Sequence, residues 1–273
     1  MFINDFESFK KIVNNYASIT INRGKDGFGS QMYATIIGYL ATMHVNKKYY
    51  YSNLSPITLK NVGTLRERTI DSNVLLNKIM TNLNVKHISL RNKLESCIQI
   101  QLPYACVTQE SFLNDHHRKL QDSWPMPKPD FFQDYHNICI HMRRGQDTNV
   151  NDKHRWIDSG FYEKMLETLF VKYPASKIHI FCWGDSGLSH IKNENLTIHN
   201  SDGFNFINDY NALVHADMLI VAGSTFSISA AFFNKNLILC SNDIVKFNSS
   251  DNMNCKKAPF PDLWEKNYND VLK

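Results

Sequence analysis

From residue 137 to residue 240, short apolar runs alternate with longer segments whose apolar residues recur every three or four positions. Ile138 to Met142, Lys177 to Trp183, Leu196 to His199, Met218 to Ala222 and Leu237 to Cys240 read as strands. Asp158 to Tyr173 predicts a helix: Phe161, Met165, Leu166 and Leu169 share one face, Asp158 or Ser159 can cap it, and Pro174 follows its end. Phe206 to His215 predicts a second helix, and Gly223-Ser224-Thr225-Phe226-Ser227 opens an Ala-rich third running to Phe233. Strands and helices alternating at this spacing predict right-handed βαβ units and a parallel sheet covered on both faces.

The first half is less regular. Asn4 to Tyr16 predicts a helix with Phe6, Phe9, Ile12 and Val13 on one face, and Ser18 to Asn22 a strand. A glycine-rich turn, Gly24 to Gly29, leads to a helix over Gln31 to Val45 with Ser30 as its expected N-cap and Met32, Ile36, Leu40 and Met43 at helical spacing. Lys48 to Ser52, Val85 to Leu90 and Cys97 to Leu102 predict further strands, and Ser72 to Leu83 and Ser111 to Gln121 helices. The rest of Asn53 to Asn84 reads as irregular, and the His116-His117 pair as a solvated face. Three prolines between Trp124 and Pro129 forbid regular structure, so the domain boundary is placed there: residues 1–129 and 130–273. The tail predicts a short helix around Leu263 to Val271.

Composition narrows the class. With 273 residues, 43% hydrophobic and 21% charged, the chain has core material for one large domain or two modest ones. The net charge of +4 is spread rather than blocked, which argues against a nucleic-acid partner and suits a small anionic ligand. Cys97, Cys106, Cys139, Cys182, Cys240 and Cys255 form no CxxC or Cys/His ligand pattern, so free thiols in a reducing, cytoplasmic setting are expected. Cys139, Cys182 and Cys240 sit in apolar runs and are expected to be buried. Met1 to Lys11 lacks a signal-peptide core, and no window approaches the roughly eighteen apolar residues of a membrane span, so no integral anchor is expected.

The chemistry gathers at strand ends. Asn137-Ile138-Cys139-Ile140-His141-Met142 runs into Arg143-Arg144-Gly145. Paired guanidiniums at the carboxyl end of a strand suit a phosphate or diphosphate, although such a pair can equally be a surface ion-pairing site. Asp185 and Ser224-Thr225-Phe226 fall at two other such ends, so three polar clusters converge where an open α/β sheet binds ligands. The turn from Gly27 to Gln31 is a fourth, weaker candidate, because any strand-to-helix turn needs small residues. Asp147 and Asp152, with His154 behind them, are the nearest candidate bases beyond the arginines, on a polar loop where a solvated carboxylate is the commoner case. No DxD motif and no Walker loop is present; the latter weighs against a sulfotransferase or nucleotide hydrolase.

His141-Met142-Arg143-Arg144-Gly145 resembles the H-x-R-R-G/T signature of the α1,2-, α1,6- and protein O-fucosyltransferase superfamily. Gly27-Phe28-Gly29-Ser30-Gln31-Met32 is similar to its G-x-G-N-Q-M/L motif, with Ser30 where Asn is usual. Phe181-Cys182-Trp183-Gly184-Asp185 and the stretch from Asp209-Tyr210-Asn211-Ala212-Leu213 to Gly223-Ser224-Thr225-Phe226-Ser227 resemble two later blocks in the same order. The resemblance departs where many members have Asp after R-R-G: this chain has Gln146, then Asp147. It implies an α/β, GT-B-like architecture of two Rossmann-type domains with parallel sheets facing a central cleft, the donor held by the second. It also implies inverting, metal-independent transfer of a sugar, typically L-fucose from GDP-fucose, to a hydroxyl of a glycan or glycoconjugate acceptor. Arg143 or Arg144 would meet the donor β-phosphate, with His141 beside it and Ser224, Thr225 and Phe226 cradling the diphosphate. Asp185 would read the base, and Gly27, Gly29, Ser30 and Gln31 would line the cleft from the other domain. No cofactor or metal is implied. Two alternatives stay open: a nucleotide- or glycan-binding module without catalysis, and a transferase using another nucleotide sugar.

Overall fold

A computed structural model describes Lys11 and residues 18–21, 27–54, 57–60, 67–70, 72–87, 97–100, 114–144, 159–201, 205–222, 224–240 and 266–267. Two compact units emerge, the main change from first to second falling between Pro125 and Met126. The α/β architecture with parallel sheets expected from the sequence is what both units show.

Up to Pro125 the elements are β1 (Ser18–Ile21), α1 (Phe28–His44), β2 (Lys48–Tyr51), β3 (Ile57–Lys60), β4 (Glu67–Ile70), α2 (Asn73–Asn82), β5 (Lys86–His87), β6 (Cys97–Ile100) and α3 (Asn114–Asp122), all in the first unit except that Leu59–Arg68, with the end of β3 and the start of β4, groups with the second. The main sheet has the order β5-β2-β1-β6 with every pair parallel. Helix α1 is buried around most of its circumference, Met32, Ile36 and Leu40 being almost fully enclosed. Its cap is Gly27, not Ser30: the Gln31 N–H already bonds the Gly27 carbonyl at 3.1 Å, so the helical ladder closes before Ser30 is reached. Asn46, at φ 53, ends α1: its N–H bonds the Met43 carbonyl and the Lys47 N–H bonds Thr42. Asn84, at φ 55, ends α2 by the same pair of bonds, asparagine being one of the few side chains that tolerate this left-handed position.

Two expectations in this half change. The stretch read as irregular contains β3 and β4, rich in Ile and Thr, which pair with each other as a separate two-stranded ribbon. His117 is buried rather than solvated, because α3 turns it inward beside the fully buried Leu120. Of the strand expected over Val85 to Leu90, Lys86–His87 is a strand and Ile88 to Leu90 lie outside the described residues. The expected helix over Asn4 to Tyr16 lies outside them, Lys11 apart.

The second unit comprises β7 (Asn137–Met142), α4 (Ser159–Lys172), β8 (Lys177–Trp183), β9 (Leu196–Ser201), α5 (Phe206–His215), β10 (Met218–Ile220), α6 (Thr225–Ala231), β11 (Leu237–Cys240) and β12 (Lys266–Asn267). All its strand pairs are parallel, in the order β9-β8-β7-β10-β11-β12. With β7 as strand one this is the 3-2-1-4-5-6 order of a doubly wound Rossmann sheet. Of the helix expected around Leu263 to Val271 only Lys266–Asn267 is described, and those two residues form a strand paired with β11 rather than a helical turn.

Alternation divides the side chains of β7 and β8 between two faces. Ile138, Ile140, Met142, Ile178, Ile180 and Cys182 form one core with Tyr162, Met165, Leu166 and Leu169 of α4. Leu188, fully buried, joins them from the β8–β9 connection, which covers the sheet there without a described helix. Cys139 faces the other way and its thiol donates to the Ala212 carbonyl of α5 at 3.7 Å. Cys139 and Cys182 are both free and buried, as expected. No described helix is long and apolar enough to cross a membrane.

One polar hub sits in this packing. Asn137, wholly buried, donates its side-chain N–H groups to the Phe132 and Tyr135 carbonyls, while its backbone N–H bonds Asp217 Oδ2 at 2.8 Å. Its Oδ1 can only accept, so it takes the His179 Nε2 proton at 3.2 Å, and His179 Nδ1 in turn accepts from His199 Nε2 at 3.1 Å. Burial, then the facing His199 and Lys177, pushes His179 down from 6.5 to about 4, and burial lowers His199 too. Both rings are thus neutral in the folded chain at pH 7, whereas the unfolded chain takes up protons below about 6.5. Between about 6.5 and about 4 the unfolded state binds more protons, so stability falls as pH falls through that window. The urea midpoint should drop from pH 7 to pH 5, with about 1–2 kcal/mol of the loss traceable to His179. His179→Gln, which keeps an N–H for Asn137, should flatten the profile; an unaltered profile would show that other groups set the acid sensitivity.

Candidate functional site

Strand order alone marks a place. β7 and β10 are hydrogen-bonded neighbours, yet the chain leaves β7 toward β8 on one side and β10 toward β11 on the other. The crevice outside the carboxyl ends of two such strands is where open α/β sheets take ligands. Arg143 and Arg144 follow the end of β7, Ser224 and α6 follow β10, and Asp185 follows β8.

The two arginines continue the alternation of β7 and reach different partners. Arg143 lies on the face of His141, and its Nη1 donates to Ser224 Oγ at 3.3 Å. Arg144 lies on the face of Met142. Its Nη1 donates to the Arg143 carbonyl at 3.1 Å, its Nη2 donates to Ser159 Oγ at 3.1 Å, and its guanidinium stands 5.8 Å over the Tyr162 ring. Both side chains are half-buried. One guanidinium therefore faces the turn before α6, and the other ties the end of β7 to the start of α4.

Ser224 and Ser227 organise the opposite wall. Ser224 caps α6, its Oγ accepting from the Phe226 N–H at 3.4 Å, and is itself buried. Ser227, fully buried, accepts the Ala222 N–H and lies 2.9 Å from His141 Nδ1. The His141 ring also meets Phe226 at 5.4 Å, and Phe226 meets the buried Tyr210 edge-on at 5.3 Å. Burial, and then the neighbouring Arg143, lowers the His141 pKa to about 3, so at neutral pH it adds no positive charge beside the guanidinium. Thr225 is half-buried at the first position of α6.

Asp185 is exposed at the tip of the turn after β8, where its Oδ1 accepts the Gly187 N–H at 2.8 Å. The turn needs left-handed backbone at Gly184, φ 92, and Gly187, φ 70. In the first unit, Gly27 is exposed, Ser30 half-buried, and Gly29 and Gln31 buried, all at the head of α1 behind β1. Gly145, Gln146, Asp147, Asp152, His154 and Gly223 lie outside the described residues. Among those described, no group of three or more His, Cys, Asp or Glu could hold a metal ion.

Sequence reasoning had no means of finding Ser159, Ser186 or Tyr162 as partners of this site, since they meet Arg144 or its neighbours only through the folded sheet. Ser227 and Tyr210 lay inside a quoted block but without a role.

No family model matches the chain, and no curated protein sequence does. Among solved structures, the chain is similar to POFUT1 in complex with GDP: 11% identity, 81% of this chain and 95% of that one covered, TM-score 0.43. It is similar to E. coli heptosyltransferase WaaC with ADP at 9% identity, 82% and 86% coverage and TM-score 0.37. TarM matches at 14% identity, 98% of this chain and 49% of that one covered, and TM-score 0.32, so the chain spans about half the length of TarM.

Ser227 is the most constrained group at the site, since its hydroxyl serves both a buried backbone N–H and a ring nitrogen. Ser227→Ala should cost about 1–3 kcal/mol by leaving those groups unsatisfied. A urea midpoint equal to that of the wild type would show that the Ser227 hydroxyl contributes nothing.

Proposed function

We propose that the second unit binds a nucleoside-diphosphate sugar and that the protein is a glycosyltransferase. The observation that carries this is the placement of Arg143, beside Ser224, at the carboxyl ends of β7 and β10, where the strand order reverses. A diphosphate seated there would meet a guanidinium held by a neighbouring hydroxyl rather than a freely moving charge. The resemblance of the H-x-R-R-G and S-T-F-S segments to the fucosyltransferase superfamily supports the same reading and favours L-fucose from GDP-fucose.

The chemistry follows from what such a donor needs. An acceptor hydroxyl attacks the anomeric carbon, the carbon–oxygen bond to the diphosphate breaks, and the electron pair goes to a β-phosphate oxygen. Negative charge grows on that oxygen, and Arg143 is the fixed cation assigned to it, doing what a divalent ion does in metal-dependent transferases. Neutral His141 packs beside the guanidinium without competing for the anion. Attack opposite the leaving group inverts the anomeric centre. The acceptor proton is assigned to Asp147 or Asp152. Asp185 is assigned to the base, since a carboxylate can accept from both N1–H and N2–H of guanine. The head of α1, with Gly27, Gly29, Ser30 and Gln31, is assigned to donor binding, as the resemblance implies, and each unit is read as a Rossmann-type domain of a GT-B transferase.

Three measurements test this. Donor turnover should persist in excess EDTA; complete loss restored by Mg²⁺ or Mn²⁺ would sink the arginine-based mechanism. GDP should raise the melting temperature more than UDP, CDP or ADP, and Asp185→Ala should remove most of that preference; a preference for UDP would overturn the assignment of the base. Arg143→Lys keeps the charge but loses the planar fork, and kcat should fall about 10²–10³-fold. Wild-type turnover in Arg143→Lys would place the active site elsewhere. Nucleotide binding without any donor turnover would identify a binding module.

A further inference from the structure

Arg144 does not face the same way as Arg143, and the partners it reaches form a continuous line. Its Nη2 donates to Ser159 Oγ, the first residue of α4, at 3.1 Å. Ser159 Oγ in turn donates to the Ser186 carbonyl at 3.3 Å. Ser186 belongs to the turn that carries Asp185, and its own hydroxyl, nearly fully buried, accepts the Leu188 N–H at 3.1 Å. Leu188 is locked in the core below, and Cys182 Sγ, which donates to Asn200 Oδ1 at 2.9 Å, lies 3.5 Å from the Gly184 carbonyl at the other end of the turn. Gly187 sits so close to Ser159 that a Cβ there would come within 2.9 Å of its Oγ. The Gly187 N–H meanwhile holds Asp185 Oδ1 at 2.8 Å. The path therefore runs from one guanidinium through one hydroxyl to the backbone immediately after Asp185.

Asp185 is exposed, and a carboxylate that must offer its oxygens to a planar base cannot swing freely and remain selective. We infer that Arg144 and Ser159 are positioning residues for the nucleobase: through the Ser186 carbonyl they hold the turn that presents Asp185, and so set base selectivity. Arg144 then acts on the nucleotide through Ser159 and the turn, while Arg143 answers the diphosphate. This rests on the nucleotide-binding reading above. It adds a division of labour between adjacent arginines and a specificity role for a serine 26 positions before the residue it orients, Asp185.

Ser159→Ala deletes the hydroxyl and leaves both arginines in place. Dissociation constants for GDP, UDP, ADP and inorganic diphosphate, measured by calorimetry on the full chain, read the outcome. The ratio of UDP to GDP constants should fall roughly three- to tenfold, the effect of losing one hydrogen bond, while the constant for inorganic diphosphate stays within twofold of wild type, about the accuracy of such a comparison. Ser159→Thr, which keeps a hydroxyl, should restore the ratio. An unchanged ratio in Ser159→Ala overturns the inference, as does a parallel loss of affinity for inorganic diphosphate, which would mean that the network supports phosphate binding. If the wild-type chain binds none of the nucleotides, the nucleotide reading fails and the inference with it; if it binds and discriminates but Ser159→Ala does so equally well, only the inference fails.

Discussion

A parallel strand cannot be reached by a hairpin; the chain must cross over the sheet, and it crosses right-handedly. That constraint places the chemistry of the second unit. Having left β7 for β8 and β9 on one side, the chain returns to set β10 against the open edge of β7. The carboxyl ends of two strands that are neighbours in space but eighty residues apart in sequence are then left side by side. Arg143 meets Ser224 because of this reversal, and so does His141 meet Ser227. The core beneath, with Ile138, Ile140, Leu166 and Ile180 almost wholly enclosed, supplies the rigidity that loops alone would lack.

Charge at this spot is managed with few resources. A half-buried guanidinium is tolerable when acceptors are arranged around it, and Ser224, Ser159 and the Arg143 carbonyl are among those that these two arginines meet. Keeping the nearby imidazole neutral serves the same end, because a second cation would raise the cost of burial.

The parts of this architecture that could be read from sequence are those written in local pattern. β7, β8, β10, β11, α4 and α5 announce themselves because buried parallel strands are unbroken apolar runs and amphipathic helices repeat on one face. The ends of those strands could be located for the same reason, and with them Arg143, Asp185 and Ser224. What escaped was decided at a distance. β12 is a strand only because β11 offers an edge, and β3 and β4 only because they meet each other. Gly27 outcompetes Ser30 as the cap of α1 through backbone geometry alone. Asn137, the buried hub, looks in sequence like an ordinary polar residue before a strand; its five partners come from Phe132, Tyr135, His179 and Asp217. The partners of Arg144 are equally non-local.

The alternation of β7 has a bearing on how such a gene can change. Arg143 and Arg144 are chemically identical, and only parity along the strand tells them apart. A substitution at Ile138 or Ile140 changes the volume of one side chain and leaves every other residue on its own face. Losing or gaining a single codon within the strand would instead exchange the two faces, sending the Arg144 side chain toward α6 and the Arg143 side chain toward α4. Descendants of this chain can therefore drift in composition along β7, but its length is inherited as a unit, and insertions should accumulate in the connections on either side of it.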